Sequence, residues 1–342
     1  MTTPGESPTT EGAPADAEAE ESLAAALGVP PVRELLETLV VGLCMGTADA
    51  VPGVSGGTIA LIAGVYERLI DAIRALTPRR GLRAVGAFLP TGDGLFDEGG
   101  CRALRELDVW FLGSLGVGVI TAVVLVTRAV HVLDEAAPVA LFGFFFGLIA
   151  ASALVLVREI DVRQRAPAAA LSGGALVAAV VSVQSAALSG GGLLLVFVGG
   201  VVGVSAMILP GISGSLLLVI LGQYTRLSGE LSAFVDGLAG LVRGGSTDAL
   251  LGPGGVVVTF VAGGLVGLLT ISRVVSRALD RNRAVTLAAL VGLVVGALVA
   301  PVAEIQSRVG FDAGVAGAFA LTAVGGAAVV LLLDRYAVDL EL

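Results

Sequence analysis

Apolar residues run along this chain in long blocks, without the period-two alternation of strands or the narrow apolar stripe of a surface helix. Between charged residues, the uninterrupted runs are 109–127, 136–157, 166–225, 249–272, 284–303 and 313–333. Five of them hold 19–24 residues, one membrane-spanning helix each at about 1.5 Å rise per residue across a core of about 30 Å. The run 166–225 holds 60 residues. It divides into a span at 166–187 and two shorter pieces, 192–209 and 212–225, separated by Pro and Gly. A similar broken pair, 34–50 and 56–70, opens the apolar part of the chain. No stretch carries the dyad pattern of a membrane β-barrel. The pattern predicts an all-α polytopic membrane protein in which a broken helical hairpin is followed by three spans, twice.

The two broken pairs match residue for residue. Residues 48–69 read ADAVPGVSGGTIALIAGVYERL, and 206–227 read AMILPGISGSLLLVILGQYTRL. A shift of 158 puts Pro210 on Pro52, Gly211 on Gly53, Ser213 on Ser55, Gly214 on Gly56, Tyr224 on Tyr66 and Arg226 on Arg68. The expected organisation is an acidic tail (1–30) and two repeats. Repeat 1 (31–190) has hairpin 34–70 and spans 109–130, 136–157 and 166–187. Repeat 2 (191–342) has hairpin 192–225 and spans 253–273, 284–303 and 313–333. The short second pieces favour re-entrant hairpins that return the chain to its starting side. Three further spans make the crossings per repeat odd, so the halves are predicted to be inverted.

Charge tests that topology. All 20 basic residues are arginine. Seven (68, 74, 79, 80, 83, 102 and 105) follow the first hairpin, three lie in 158–165 and four in 273–283. The positive-inside rule places these segments in the cytoplasm. The outer loops then receive Asp134, Glu135 and the single His131, Arg226 and Arg243 among acids, and Arg308 alone.

Composition narrows the class further. The chain is 56% hydrophobic and 14% charged, with a mean hydropathy of +0.95, which fits a multi-pass membrane protein. Net charge is −9, which argues against nucleic acid as a partner. Residues 1–29 hold six acids and no base, a composition that favours a solvated tail over a packed one. Cys44 and Cys101 fall in dissimilar settings, and no metal site or cofactor is expected.

The breaks carry the candidate chemistry. Unwound backbone inside a membrane must be buried in protein or line a polar cavity. Pro52 lacks an amide hydrogen and disfavours helix at Val51, so the first arm ends there. Ser55 is placed to cap the second arm, whose opening amides are those of Gly56, Gly57 and Thr58. A helix N-terminus is a seat for an anion, and Ser213, Gly214 and Ser215 repeat it. Pro52, Gly53, Pro210 and Gly211 are the motif and hinge positions. The alternative is close helix packing, the reading given to Gly263–Gly264 and Gly325–Gly326. Asp49 is an acid in an apolar segment, aligned with Met207. Proton or cation coupling stands beside local capping for it. Glu67–Arg68 reads as a structural ion pair or a headgroup contact, with Tyr66, Tyr224 and Arg226 in the same class. Phe144–Phe146 reads as core or lipid-facing bulk.

The stretch MGTADAVPGVSGGTIALIAGVYERLI (45–70) closely resembles the signature of a membrane family long catalogued as domain of unknown function 368. The similarity covers about 33–335 and includes PGISGSLLLVILGQY. Members of that family are assigned as polyprenyl-phosphate translocases. The resemblance implies a flippase that returns undecaprenyl phosphate, or a dolichyl-type phosphate in an archaeon, to the cytoplasmic leaflet of the cell membrane. Such recycling serves envelope glycan synthesis or N-glycosylation. The partners implied are the isoprenoid lipid phosphate and membrane lipid.

Two other readings compete. Paired helix N-termini also suit a small-anion channel or exchanger. GVSG (53–56) and GISG (211–214) match the G-x-S-G of intramembrane serine proteases, but such a serine needs a base and the lone His131 lies at the end of a span. The residues favour a non-enzyme.

Overall fold

A computed structural model describes residues 28–75, 105–158, 160–161, 163–184, 191–207 and 213–340. The acidic tail, the arginines at 79, 80, 83 and 102, and the hinge residues Pro210 and Gly211 lie outside these. Among the described residues the regular elements are all helices. The first six are α1 (Val32–Ala50), α2 (Gly56–Ile62), α3 (Tyr66–Ala75), α4 (Val109–Ala136), α5 (Pro138–Arg158) and α6 (Arg165–Val183). The second six are α7 (Leu193–Met207), α8 (Gly214–Ile220), α9 (Tyr224–Val242), α10 (Asp248–Gly296), α11 (Val299–Arg308) and α12 (Ala313–Leu340). Helix α10 is interrupted at Asn282, whose φ of −158° and ψ of 89° are not helical.

Six stretches are long and apolar enough to cross a membrane: Val109–Ala136, Pro138–Arg158, Arg165–Val183, Asp248–Thr270, Arg277–Arg308 and Ala313–Arg335. They coincide with the six full spans expected from the uncharged runs, so the chain is a multi-pass membrane protein. Two expectations fail. The second arms, read as 56–70 and 212–225, each break again, at Gly64 and Gly222. The segment after the second hairpin, read as loop, forms the 19-residue helix α9. Its Arg226, Glu230 and Asp236 interrupt apolarity without interrupting the helix, and hydropathy blocks alone do not register such an amphipathic element.

The chain divides into two compact units: Met1–Thr38 with Glu67–Leu115, and Leu39–Tyr66 with Gly116–Leu342. In the smaller unit, Arg68 Nε donates to Asp108 at 2.6 Å and its Nη1 to Glu34 at 2.9 Å. Its guanidinium also lies 4.3 Å from the centre of the Phe111 ring. The ion pair expected of Glu67 and Arg68 is thus formed by Arg68 with other carboxylates.

The larger unit holds the core. Phe145, Leu148 and Ile149 of α5 are buried with Leu216 and Ile220 of α8, Tyr224 of α9, and Ala297, Ala300 and Ile305. Phe145 stacks edge-on with Tyr224 and Phe146 packs on Phe319, so the core reading of the Phe run holds for these two. Small residues set the helix pairs, as they do where apolar lipid supplies no hydrophobic drive. A methyl group on Gly143 would overlap Phe319 and Thr322, one on Gly147 would overlap Ala323, and one on Gly326 would overlap Phe144. The contacts of α5 and α12 therefore advance together, and the two helices run parallel. Gly174 meets Ala289, Gly292 meets Leu171 and Gly296 meets Ala175, so α6 and α10 are parallel as well. Gly263 packs on Phe197 and Gly264 on Val204, which is the packing role read for that pair. Arg308, expected alone, bonds Asp134 at 2.9 Å and Glu304 at 2.7 Å.

Candidate functional site

From the N-cap serine onward, the two hairpins are built the same way. Helix α1 ends at Ala50, ahead of Pro52, and the chain turns at Gly53 with φ +93°. A Cβ there would also sit 3.3 Å from the α5 backbone at Leu148 and Ile149, so the turn and the close approach both require glycine. Ser152 Oγ donates to the Gly53 carbonyl at 2.5 Å, which satisfies an acceptor exposed by the break. Ser55 and Ser213 occupy the N-cap positions of α2 and α8 in extended conformation, with φ/ψ of −114°/124° and −91°/121°. Each helix then runs seven residues and stops at a left-handed glycine, Gly64 at φ +70° or Gly222 at φ +64°. The Val65 amide donates to Ala60 O at 3.0 Å, and the Gln223 amide to Leu218 O at 2.9 Å. The next helices begin at Tyr66 and Tyr224. The 158-residue sequence shift is thus also a repeat of backbone structure.

The expected serine caps are corrected. Neither hydroxyl makes a cap bond. The Gly56 amide instead donates to Asp49 Oδ1 at 2.8 Å, so the carboxylate already occupies the positive end of α2. A charged acceptor makes the stronger hydrogen bond there. In the second hairpin Ser213 and Ser215 pair with each other at 2.9 Å, and Met207 stands where Asp49 stands in the first.

The hairpins differ most in what surrounds them. The first borders a cavity of about 140 Å³ between α2, α5 and α12. Gly53, Ser55, Thr58 and Ser152 line it together with Ile59, Ile62, Val155, Leu156, Val330, Leu333 and Asp334. The Ser55 and Thr58 hydroxyls have no hydrogen-bond partner among the described residues, although Ser55 is only 7% exposed. Around the second hairpin, Ser213, Gly214, Ser215 and Leu216 are all buried. Leu216, aligned with Thr58, is 1% exposed and packs with Ile149, Ala178 and Val294. Both hairpins therefore meet α5 near Ile149, and among the described residues the opening turn of the short helix borders a cavity only in the first.

Of the remaining candidates, the Tyr224 hydroxyl donates to Ala50 O at 2.6 Å, joining the second hairpin's exit to the end of α1. Arg226 donates to Gly191 O at 2.6 Å. Tyr66 is half-buried and Glu67 exposed. His131 lies beside Gly229 and Glu135, and neither motif serine bonds it. Sequence reasoning missed Ser152 and Asp334. Both sit in or beside uncharged runs without a motif, and only the packing of α5 and α12 on α2 reveals them.

Residues 45–312 match the family described as VCA0040-like, undecaprenyl phosphate translocase-like. A polyprenyl-phosphate transporter of Vibrio cholerae is 34% identical over 263 residues, covering 77% of this chain and 76% of the relative. A polyprenyl-phosphate transporter of Staphylococcus aureus is 27% identical over 271 residues, covering 76% and 83%. No solved structure matches the chain. The duplicated break and the extent of these matches establish that the chain belongs to the undecaprenyl phosphate translocase-like family.

Proposed function

We propose that the protein moves a polyprenyl phosphate of undecaprenyl or dolichyl type from the outer to the cytoplasmic leaflet of the plasma membrane, so that the carrier is used again. The observation that carries this reading is the cavity beside α2. Two hydroxyls without partners stand on one wall and aliphatic side chains on the others, which suits a phosphate headgroup joined to an isoprenoid chain. A hydrated small anion would gain little from that apolar lining.

Inverted repeats with re-entrant hairpins are the architecture this function needs, and several observations support them. At seven residues, α2 and α8 are each about 10 Å long, far short of a core of about 30 Å. Helix α12 is parallel to α5 and joined to α11 by only the residues 309–312. Short connections join antiparallel neighbours, so the α10–α11 span, the second-half counterpart of α5, runs against α5. Arg308 at the end of α11 lies 5.5 Å from the ring of Phe142 near the start of α5, in agreement. The three arginines of 158–165 put the end of α5 in the cytoplasm. The α2 cavity then belongs to the cytoplasmic half, and the Phe142 end to the outer half.

In this reading Ser55, Gly57 and Thr58 hold the phosphate, joined by Gly56 when Asp49 withdraws. Exchange of carboxylate for phosphate at one amide couples transport to a proton or cation on Asp49. Ser213, Gly214 and Ser215 join when the second hairpin opens, with Pro52, Gly53, Pro210 and Gly211 as hinges. Native mass spectrometry of the gently purified protein should find a co-purifying polyprenyl phosphate. Displacement of that lipid by chloride at equal concentration would favour an anion exchanger instead. Cysteines at Ser246 and Gln306 should label from outside intact cells, whereas one at Gln164 should not. Labelling of Ser246 only after permeabilisation would remove the inverted topology.

A further inference from the structure

Arg226 repeats Arg68 in sequence but not in charge balance. Arg68 is held by the carboxylates of Glu34 and Asp108. Arg226 makes the corresponding clasp to the entrance of its own hairpin through an uncharged group: its Nη1 donates to Gly191 O at 2.6 Å and, more weakly, to Gln223 Oε1 at 3.4 Å. A shift of 158 places Gly192 where the first hairpin has Glu34. Among the described residues no carboxylate reaches ion-pair distance of Arg226, and Glu230, one turn along α9, is not paired with it. Among arginines with described side chains, it is the only one that is not exposed.

A half-buried guanidinium without a counter-ion carries a desolvation cost that carbonyl oxygens return only in part. Its Nε and Nη2 have no acceptor among the described residues. The residues leading into it, Gly222, Tyr224 and Thr225, line a second cavity of about 130 Å³. The far wall holds both Glu304 and Arg308, and Arg308 is already neutralised by Glu304 and Asp134. Arg226 does not line that cavity itself but directly follows Thr225, which does. An unbalanced cation therefore stands next in sequence to the cavity wall at the exit of the second hairpin, in the outer half of the membrane by the topology above.

We propose that Arg226 captures a phosphate monoester dianion, the headgroup of the lipid carrier, at the exit of the second hairpin before it reaches the α2 cavity. The inference rests on the carrier-transport reading. The free Nε–Nη2 edge offers the two parallel donors that bind phosphate bidentately, while Nη1 keeps the side chain tethered to Gly191.

The repeat supplies its own test. No atom lies within 4 Å of a Cβ built on Gly192, so Gly192→Glu can restore the ion pair of the first half. Farnesyl phosphate binding to the purified full chain should weaken about tenfold or more in Gly192→Glu, as expected when a charge-assisted hydrogen bond is lost. Its melting temperature should hold or rise, and Gly192→Gln should bind as wild type does. Arg226→Gln should show the same loss as Gly192→Glu. Unchanged affinity in Gly192→Glu overturns the capture role while leaving the transport reading intact. No binding by the wild type overturns the transport reading, and this inference with it. Inorganic phosphate should compete only at far higher concentration. Equal competition would assign the Arg226 site to free phosphate and overturn its assignment to the lipid.

Discussion

The first and second hairpins share backbone from the N-cap serine to the left-handed glycine, yet the opening turn of the short helix borders a cavity in one and is buried in the other. A few side chains account for the difference. Thr58 is replaced by Leu216, which is buried against Ile149, Ala178 and Val294. Asp49, bonded to the Gly56 amide, is replaced by Met207. Ser152, which reaches the first hairpin from α5, has no comparable partner around α8 among the described residues. Duplication supplied two equal frames, and substitution turned one towards polar contact and the other towards anchorage. In the proposed function the halves would then be unequal, the first forming the polar wall of the α2 cavity and the second offering Arg226 at its exit.

The largest effect should come from charge at the open frame. Gly56→Asp sets a second carboxylate beside Asp49 and should weaken farnesyl phosphate binding by about 100-fold or more, read by titration of folded protein. Wild-type affinity there would take the first hairpin out of the site. Exchanging the aligned residues comes next. Leu216→Thr should lower unfolding stability by about 2–4 kcal/mol, since it leaves a cavity and a buried hydroxyl, with little change in affinity. Thr58→Leu should do the reverse, costing about tenfold in binding without loss of melting temperature. If both variants lose only stability, the two frames are equivalent and the contrast fails. Asp49→Asn keeps an acceptor for the Gly56 amide but cannot titrate. Uptake of lipid phosphate into proteoliposomes should lose its dependence on pH, and an unaltered profile would reduce Asp49 to a cap. Ser55→Ala should be mildest. Because the hydroxyl caps nothing, stability should stay within about 0.5 kcal/mol, while binding falls a few-fold.

The six spans and the doubled break were legible because membrane burial writes them as uncharged runs, and because Pro and Gly recur at a constant shift. The cap was misread for a physical reason. Ser55 has the right position and dihedral angles, but an aspartate seven residues back, brought round by the turn at Gly53, offers a charged acceptor. Local spacing does not reveal that competition. Nor does it reveal that Gly64 and Gly222 end their helices, since glycine inside a membrane helix more often serves packing. The cavity depends on α5 and α12 meeting α2 across more than a hundred residues of sequence. Its lining is a property of the assembled bundle.

The parallel pairing of α5 with α12 has a consequence for how the protein is made. The small face of α5 at Gly143 and Gly147 finds its partners at Phe319, Thr322 and Ala323, roughly 175 residues later in synthesis. At about 5–20 residues per second, that face waits on the order of 10–35 s for its neighbour. Throughout that interval the helix stands in lipid or against the insertion machinery with its closest-packing surface uncovered. A ribosome that stalls before the last helix would leave α5 without the surface it was shaped to meet, and quality control could recognise such a half-clad intermediate by its bare glycines.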